Sequence, residues 1–306
     1  MKVAVHLVHE VRAFHVSEEQ LASLRRRHPA LDFVACASED EFLRVLPTVH
    51  GALVWHFDAA WYERAPLLRV VATPAAGRER VSPDPSGRAR TLHGAFHGQI
   101  MAETLVAMVS YWARRFDLAE AQQRERRWAR DVFSSTVRLA EQSALVVGYG
   151  SLGRHCAASL KALGMRVAGV KRNAAVEPAP ADAVFPASEL FAALGAADHV
   201  IATLPSDTGA DHLFDARAFA AMKPGAYFYS LGRGNVVDEH ALVSALESGA
   251  LGGAFLDVFE HEPLPQDSPL WSAPRLRLLP HASAIGRQYL ELWFAELAPE
   301  LSGWAF

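Results

Sequence analysis

Arg233, Glu262 and His281 follow one another in the last quarter of the chain, in the contexts SLGRGNVVDE, LDVFEHEPLP and LLPHASA, 29 and 19 residues apart. An arginine offers a planar fork of donors that can grip a carboxylate at both oxygens, which an ammonium cannot. A histidine passes protons near neutral pH, and a neighbouring carboxylate orients the ring and stabilises its protonated form. The three side chains together suit proton transfer at a carbonyl or hydroxyl group that lies beside a carboxylate, as in the redox chemistry of a 2-oxo acid. Singly, each has an ordinary explanation. The chain carries 14 histidines, Arg233 lies between two glycines, and Glu262 precedes a proline.

Their weight comes from a second pattern upstream. VVGYGSLG places Gly148, Gly150 and Gly153 in the GxGxxG spacing, after a strand-like run and at the start of a helical one, SLGRHCAASLKALG. The first glycine permits a tight turn, the second lets backbone approach a pyrophosphate, and the third allows a helix to pack closely on a strand. Phosphates are then received at a helix N-terminus, where N–H groups and the helix dipole favour anions. A second strand, MRVAGV, follows at the expected distance and ends at Lys171-Arg172-Asn173. An acid in that position would accept from a ribose 2′-hydroxyl, whereas a cation neutralises a 2′-phosphate. Lys171 and Arg172 therefore favour NADP(H) over NAD(H).

These residues need a scaffold, and the chain reads as an α/β protein. KVAVHLV, LDFVACA, GALVWHF and LRVVAT alternate with helical stretches over the first 95 residues. ALVVGYG, MRVAGV, DHVIATL, GAYFYSL and GGAFLDV do the same from Ala144 to about Pro280. Strands alternating with helices form parallel sheets covered on both faces. TPAAGRERVSPDPSG, residues 73–87, reads as a loop, residues 97–116 as a long helix, and the tail from Ala282 as a further helix with one apolar side. If that tail helix returns to the first domain, the division is 1–95 plus 282–306 for one domain and 96–281 for the other. The active site is then expected between them.

Composition narrows the class. Half the residues are hydrophobic (51%) and 21% are charged, a globular profile. No apolar run approaches the roughly 20 residues that span a bilayer, and MKVAVHLVHEV reads as a first strand and not as a signal peptide. Cys36 and Cys156 are too few for a disulfide framework and show no metal spacing, so a reducing cytoplasm and no metal are expected. The net charge of −4 argues against nucleic acid as the main partner. The arginines of residues 114–130 are interleaved with acids and read as i,i+4 pairs on a solvated helix.

GYGSLG, LPSDTGADHLF, MKPGAYFYSLGRGNVVDEHAL, GAFLDVFEHEPLP and PHASA, in that order, resemble the D-isomer-specific 2-hydroxyacid dehydrogenase family. The resemblance is close over about residues 95–285 and looser before. It implies a Rossmann cofactor domain inserted into a flavodoxin-like substrate domain, two doubly wound parallel-sheet domains in all, paired as a homodimer through the cofactor domain. It implies catalysis by Arg233, which binds carboxylate and carbonyl, by His281 as the acid/base and by Glu262 as its orienting carboxylate. Besides the three glycines and the basic pair, it implies cofactor contacts from Tyr149, Ser151, Leu152, Leu204, Pro205, Thr208, Leu231, Gly232, Asp257 and Ser283. The activity implied is NAD(P)H-dependent reduction of a small 2-oxo acid, of the glyoxylate or hydroxypyruvate type, to the D-2-hydroxy acid, with the reverse oxidation. The family also contains corepressors, so a cofactor-sensing regulator is the alternative from another class.

Two departures from the family pattern bear on the substrate. Ala75-Ala76-Gly77-Arg78-Glu79 falls where AGVD is frequent, and Ala76, Gly77 and Arg78 are the expected substrate loop. Arg78 either adds a cation for a larger dicarboxylate or phosphorylated acid, or points to solvent with only its N–H used. AET at 102–104 stands where AEH is common, so that histidine is absent. His97, just before Gly98, reads as a helix-start residue or else a residue lining the cleft, and Trp55 and His56, after the third strand, are further cleft candidates.

Overall fold

The computed structural model describes residues 1–173, 178–206 and 209–304. The chain divides into two compact units, Met1–His97 with Ile285–Phe306, and Gly98–Ala284.

In the first unit, β1 (Lys2–His6), β2 (Asp32–Ala35), β3 (Gly51–Val54), β4 (Val70–Thr73) and β5 (Arg90–His93) form a parallel sheet in the order β2-β1-β3-β4-β5. This is the flavodoxin-like order, with its reversal between β1 and β3. Every residue of β3 and β4 is buried, as a strand covered on both faces requires. Helix α1 (Glu18–Arg27) starts on a capping box in which Ser17 and Gln20 exchange side-chain-to-backbone bonds, and α2 (Glu39–Val45) starts on Ser38. β5 lies beyond the reach of hydrophobic patterning. RTLH is polar and follows a loop, and it becomes a strand because β4 offers an edge with which to pair. The helix Tyr289–Gly303 belongs to this unit, where Tyr289 packs at a tilt against Phe14 and Glu296 accepts the Ala95 N–H. It begins at Tyr289 and not at Ala282, because residues 281–283 are bonded to the second unit's strand ends, as described below.

The second unit opens with α3 (Gly98–Ala113) and α4 (Phe116–Glu125), then follows β6 (Ser143–Val147), α5 (Ser151–Ala162), β7 (Arg166–Lys171) and β8 (Ala183–Pro186). After these come α6 (Leu190–Leu194), β9 (His199–Ala202), α7 (Ala216–Ala221), β10 (Tyr227–Ser230), α8 (Glu239–Glu247), β11 (Gly253–Leu256) and β12 (Leu276–Leu278). The seven strands are parallel in the order β12-β11-β10-β9-β6-β7-β8, the Rossmann order reversing between β6 and β9. Two apolar layers cover the sheet, one built around Leu145, Val200, Phe228 and Leu256, the other around Val146, Ile201, Tyr229 and Phe255. Alternate residues of each central strand thus serve opposite faces.

The arginine-rich stretch behaves differently from its sequence pattern. Arg115 and Arg126 both adopt left-handed backbone, so no single helix runs through residues 114–130. The i,i+4 register is therefore lost. Arg115 pairs with Asp117 and Arg127 with Glu125, while Glu120 receives Arg277 from β12 at 2.8 Å.

The most enclosed imidazole has a structural role. His199, fully buried at the start of β9, donates from Nε2 to the Gln142 amide oxygen (3.0 Å) and accepts at Nδ1 from the Tyr229 hydroxyl (2.9 Å). Burial pushes its pKa down to about 4, so it stays neutral and holds two strands together.

Candidate active site

The glycine loop occupies the β6–α5 connection, beside the strand-order reversal of the seven-stranded sheet. Gly148 has φ +98°, and a side chain there would strike the Thr203 backbone at 2.9 Å. At Gly153 a Cβ would come within 2.7 Å of the Gly148 carbonyl, so only glycine lets α5 approach the strand this closely. At Gly150 a Cβ would meet nothing nearer than 3.9 Å, which leaves open space in front of the loop. The first i→i−4 bond of α5 runs from Arg154 N–H to the Gly150 carbonyl, so the N–H groups of Ser151, Leu152 and Gly153 lie ahead of the helical ladder. Open space facing first-turn donors fits a pyrophosphate.

Two residues shape this loop from outside it. The Gly148 and Tyr149 N–H groups both donate to the Val170 carbonyl at 3.0 Å, which brings Lys171, the last residue of β7, beside the loop. Thr203, which no motif in the sequence marks, donates its hydroxyl to the Gly148 carbonyl at 2.8 Å. Its only sequence signal is its place directly after a buried strand. The Tyr149 side chain turns inward: the ring lies against Gly169 and the hydroxyl accepts the Ala181 N–H at 2.9 Å. Only the main chain of Tyr149 belongs to the loop's outer face. Leu204 and Leu231 follow β9 and β10, Pro205 is exposed, and Thr208 lies outside the described residues.

Arg233 lies in the connection after β10 and is half-buried. The glycines that flank it are pressed against neighbouring strand ends. A Cβ at Gly232 would meet the Leu204 carbonyl oxygen at 2.3 Å, and one at Gly234 would meet Phe259 backbone at 1.9 Å. Arg233 is thereby wedged between the loops that follow β9 and β11, and the guanidinium donates to the Gly232 carbonyl at 3.0 Å.

The loop after β11 carries Glu262. One carboxylate oxygen accepts the Phe259 N–H at 3.1 Å, and the other meets His281 Nδ1 at 2.7 Å. The pair is half-exposed, at 48% for the imidazole and 36% for the carboxylate. With Nδ1 committed to Glu262, Nε2 is the ring atom available for proton transfer to a ligand.

His281 has φ +49°, a left-handed conformation that costs a non-glycine residue about 1–3 kcal/mol and persists only where its surroundings impose it. The imposing group is Asp257. Its carbonyl accepts the His281 N–H at 2.8 Å, and its fully buried carboxylate accepts the N–H groups of Ala282 (2.8 Å) and Ser283 (3.1 Å) and the Ser283 hydroxyl. Burial raises the Asp257 pKa, while the Ser283 hydroxyl, the two N–H groups and the charge of His281 oppose that rise.

In the first unit, the loop Ala75–Glu79 follows β4, and Gly94 packs on the Pro74 carbonyl beneath it. Ala76 and Arg78 are exposed, and Gly77 is partly buried. Burial and then the Arg78 guanidinium lower the pKa of His93, which ends β5 beside this loop. Trp55 donates its indole N–H to the Phe14 carbonyl (3.0 Å) and stacks on Tyr289, whose hydroxyl meets His97 Nε2 at 2.8 Å. His56 is exposed and pairs with Asp58. Among the described residues no cluster of three His, Cys, Asp or Glu side chains could hold a metal, and no helix is long and apolar enough to cross a membrane.

A Rossmann sheet with a glycine loop open to a pyrophosphate, and an acid-oriented histidine beyond the strand ends, defines a dinucleotide-dependent oxidoreductase. The family model described as "D-isomer specific 2-hydroxyacid dehydrogenase, NAD binding domain" matches residues 106–283. Glyoxylate/hydroxypyruvate reductase B of Klebsiella pneumoniae is 34% identical over 236 residues, 73% of this chain and 71% of the relative. A D-isomer-specific 2-hydroxyacid dehydrogenase from Xanthobacter autotrophicus, solved with NADPH and MES, superposes with TM-score 0.81 at 28% identity, covering 98% of this chain and 94% of its own. The NADPH-dependent glyoxylate/hydroxypyruvate reductase of Sinorhizobium meliloti, solved with NADP and sulfate, gives 0.80 at 27%, covering 99% and 95%. The chain belongs to the D-isomer-specific 2-hydroxyacid dehydrogenase family. It is a nicotinamide-dependent enzyme.

Proposed function

We propose that the protein is an NADPH-dependent reductase of small 2-oxo acids of the glyoxylate or hydroxypyruvate type, forming the D-2-hydroxy acid. The observation that carries this reading is the 2.7 Å bond between Glu262 and His281 Nδ1, which directs a protonatable Nε2 outward in a chain of this family. When bound, the nicotinamide supplies the hydride. Arg233 grips the substrate carboxylate and polarises the carbonyl oxygen, and the Nε2 proton of His281 passes to that oxygen as the carbonyl carbon is reduced. Glu262 stabilises the imidazolium before transfer and holds the ring in place. Ala76, Gly77 and Arg78 are the substrate loop that the family resemblance suggests, with Arg78 exposed. Asp257 and Ser283 act by fixing the loop that carries His281.

The coenzyme preference rests on Lys171, the last residue of β7, and Arg172 just after it, where Val170 is bonded to the glycine loop. Cations there suit a 2′-phosphate. Steady-state assays with glyoxylate and hydroxypyruvate are expected to give kcat/KM about a hundredfold higher with NADPH than with NADH. The double variant Lys171→Ala/Arg172→Ala should erase most of that ratio by raising KM for NADPH, each charge-assisted contact being worth roughly 1.5–3 kcal/mol. A wild-type enzyme that prefers NADH sinks the coenzyme assignment. Failure to reduce any small 2-oxo acid with either coenzyme sinks the activity.

We also propose a homodimer formed through the second unit. What supports this reading is that Phe116, Trp128, Val132 and Val137 are exposed large apolar side chains within one short stretch, Trp128 by 90%. Light scattering should return twice the chain mass of 33.4 kDa, and Trp128→Asp should shift the protein towards monomer. A wild-type monomer at tens of micromolar (roughly the protein concentration of a chromatography run) overturns it.

A further inference from the structure

Thr104 occupies the position where AET replaces the familiar AEH, so the chain lacks a histidine there. It lies in α3 and is partly buried. Helical serines and threonines commonly turn their hydroxyl back to the carbonyl four residues earlier, and in this chain Ser244 and Ser302 do so, bonding His240 and Ala298. Thr104 instead donates its hydroxyl across to the main-chain carbonyl of Ser283, at 3.3 Å.

Ser283 is 2% exposed, and its other polar groups, the N–H and the hydroxyl, both go to the Asp257 carboxylate. The Thr104 hydroxyl completes that set by taking the carbonyl. The segment from His281 to Ser283 is therefore held from two sides: by Asp257 at the end of the sheet and by Thr104 on the helix. At its other end His281 stands in left-handed backbone, with its ring aimed at Glu262. A residue held in that conformation keeps it only while its neighbours over-determine it.

We infer that Thr104 is a positioning residue for His281, acting through the Ser283 carbonyl to fix the loop that aims the imidazole; the inference rests on the acid/base role proposed for His281. The lost hydroxyl frees a buried carbonyl and one side of the loop, and small misplacements of a catalytic group lower turnover far more than they lower binding.

The test compares full-length wild type with Thr104→Val, which keeps the shape, Thr104→Ser, which keeps the hydroxyl, and Thr104→Ala as a second deletion in case valine disturbs the helix. Thermal melts establish which variants are folded. With NADPH and glyoxylate, Thr104→Val is expected to lose about tenfold in kcat with KM for glyoxylate changed less than about twofold, and Thr104→Ser to stay within about twofold of wild type. In the coenzyme-free protein, hydrogen exchange of the amides of His281, Ala282 and Ser283 should accelerate about tenfold in Thr104→Val and not in Thr104→Ser. Wild-type turnover and exchange in folded Thr104→Val or Thr104→Ala overturn the inference. So does an equal loss in Thr104→Ser. If the wild-type enzyme reduces no 2-oxo acid, the proposed activity fails while the exchange measurement still decides whether Thr104 holds the loop.

Discussion

Replacing His281 by alanine is expected to lower kcat by about a thousandfold while the dissociation constant for NADPH stays within about threefold of wild type. General acid catalysis by a positioned side chain contributes roughly 10²–10⁴ in rate, and His281 is the protonatable side chain that Glu262 orients. The effect should fall on turnover because the imidazole and the glycine loop rest on different elements. The histidine follows β12 and is tied to the end of β11, whereas the loop joins β6 to α5. Folding should be nearly untouched, since the side chain is half-exposed. Glu262→Gln keeps the shape but removes the charge that stabilises the imidazolium, so it should lose less, about tenfold to a hundredfold. Steady-state kinetics and fluorescence titration of NADPH measure both quantities. A His281→Ala enzyme that turns over within threefold of wild type would exclude His281 as the proton donor.

The second large effect concerns Arg233. Arg233→Ala should lower kcat/KM for glyoxylate by about a thousandfold, because in the role proposed for it the substrate carboxylate and the carbonyl oxygen would both lose their cationic partner. Arg233→Lys keeps the charge as a point and loses the fork, and should recover only about tenfold of that loss. The direction of failure is informative. A rise in KM alone would mean that the guanidinium binds ground state and transition state equally, whereas a fall in kcat as well shows that it stabilises charge developing on the oxygen. The wedge made by Gly232 and Gly234 adds a structural control. Gly234→Ala, whose Cβ would collide with Phe259 backbone, should destabilise the protein with Arg233 still present, which calorimetry separates from the kinetic effect. Full activity in Arg233→Ala would remove the arginine from the mechanism.

Much of the fold was legible because it is written locally. The central strands of the two sheets are short, largely apolar runs, and the alternation with helices admits parallel sheets and little else. GxGxxG is likewise local: its three glycines answer to a turn, an open face and a helix contact within six residues. The family resemblance rests on such segments. Patterning misses β5, β8 and β12, because RTLH, AVFP and LRL are too short or too polar to announce themselves and become strands only when an existing strand offers its edge. It also overextends the helix through the arginines, since nothing in the side-chain pattern marks the left-handed residues at 115 and 126.

The sequence by itself determined the class of fold, the loop built for a dinucleotide, and which residue types stand in the order that oxo-acid chemistry needs. Tertiary structure alone decided how they are held. Glu262 reaches His281 across a 19-residue gap, Asp257 clamps the histidine's loop from within the sheet, Thr203 and Thr104 brace two loops with single hydroxyls, and Tyr149 faces the core. The physical reason is that spacing along a chain encodes only periodic, short-range preferences. A hydrogen bond between residues far apart in sequence exists only once packing has brought the elements that carry them together.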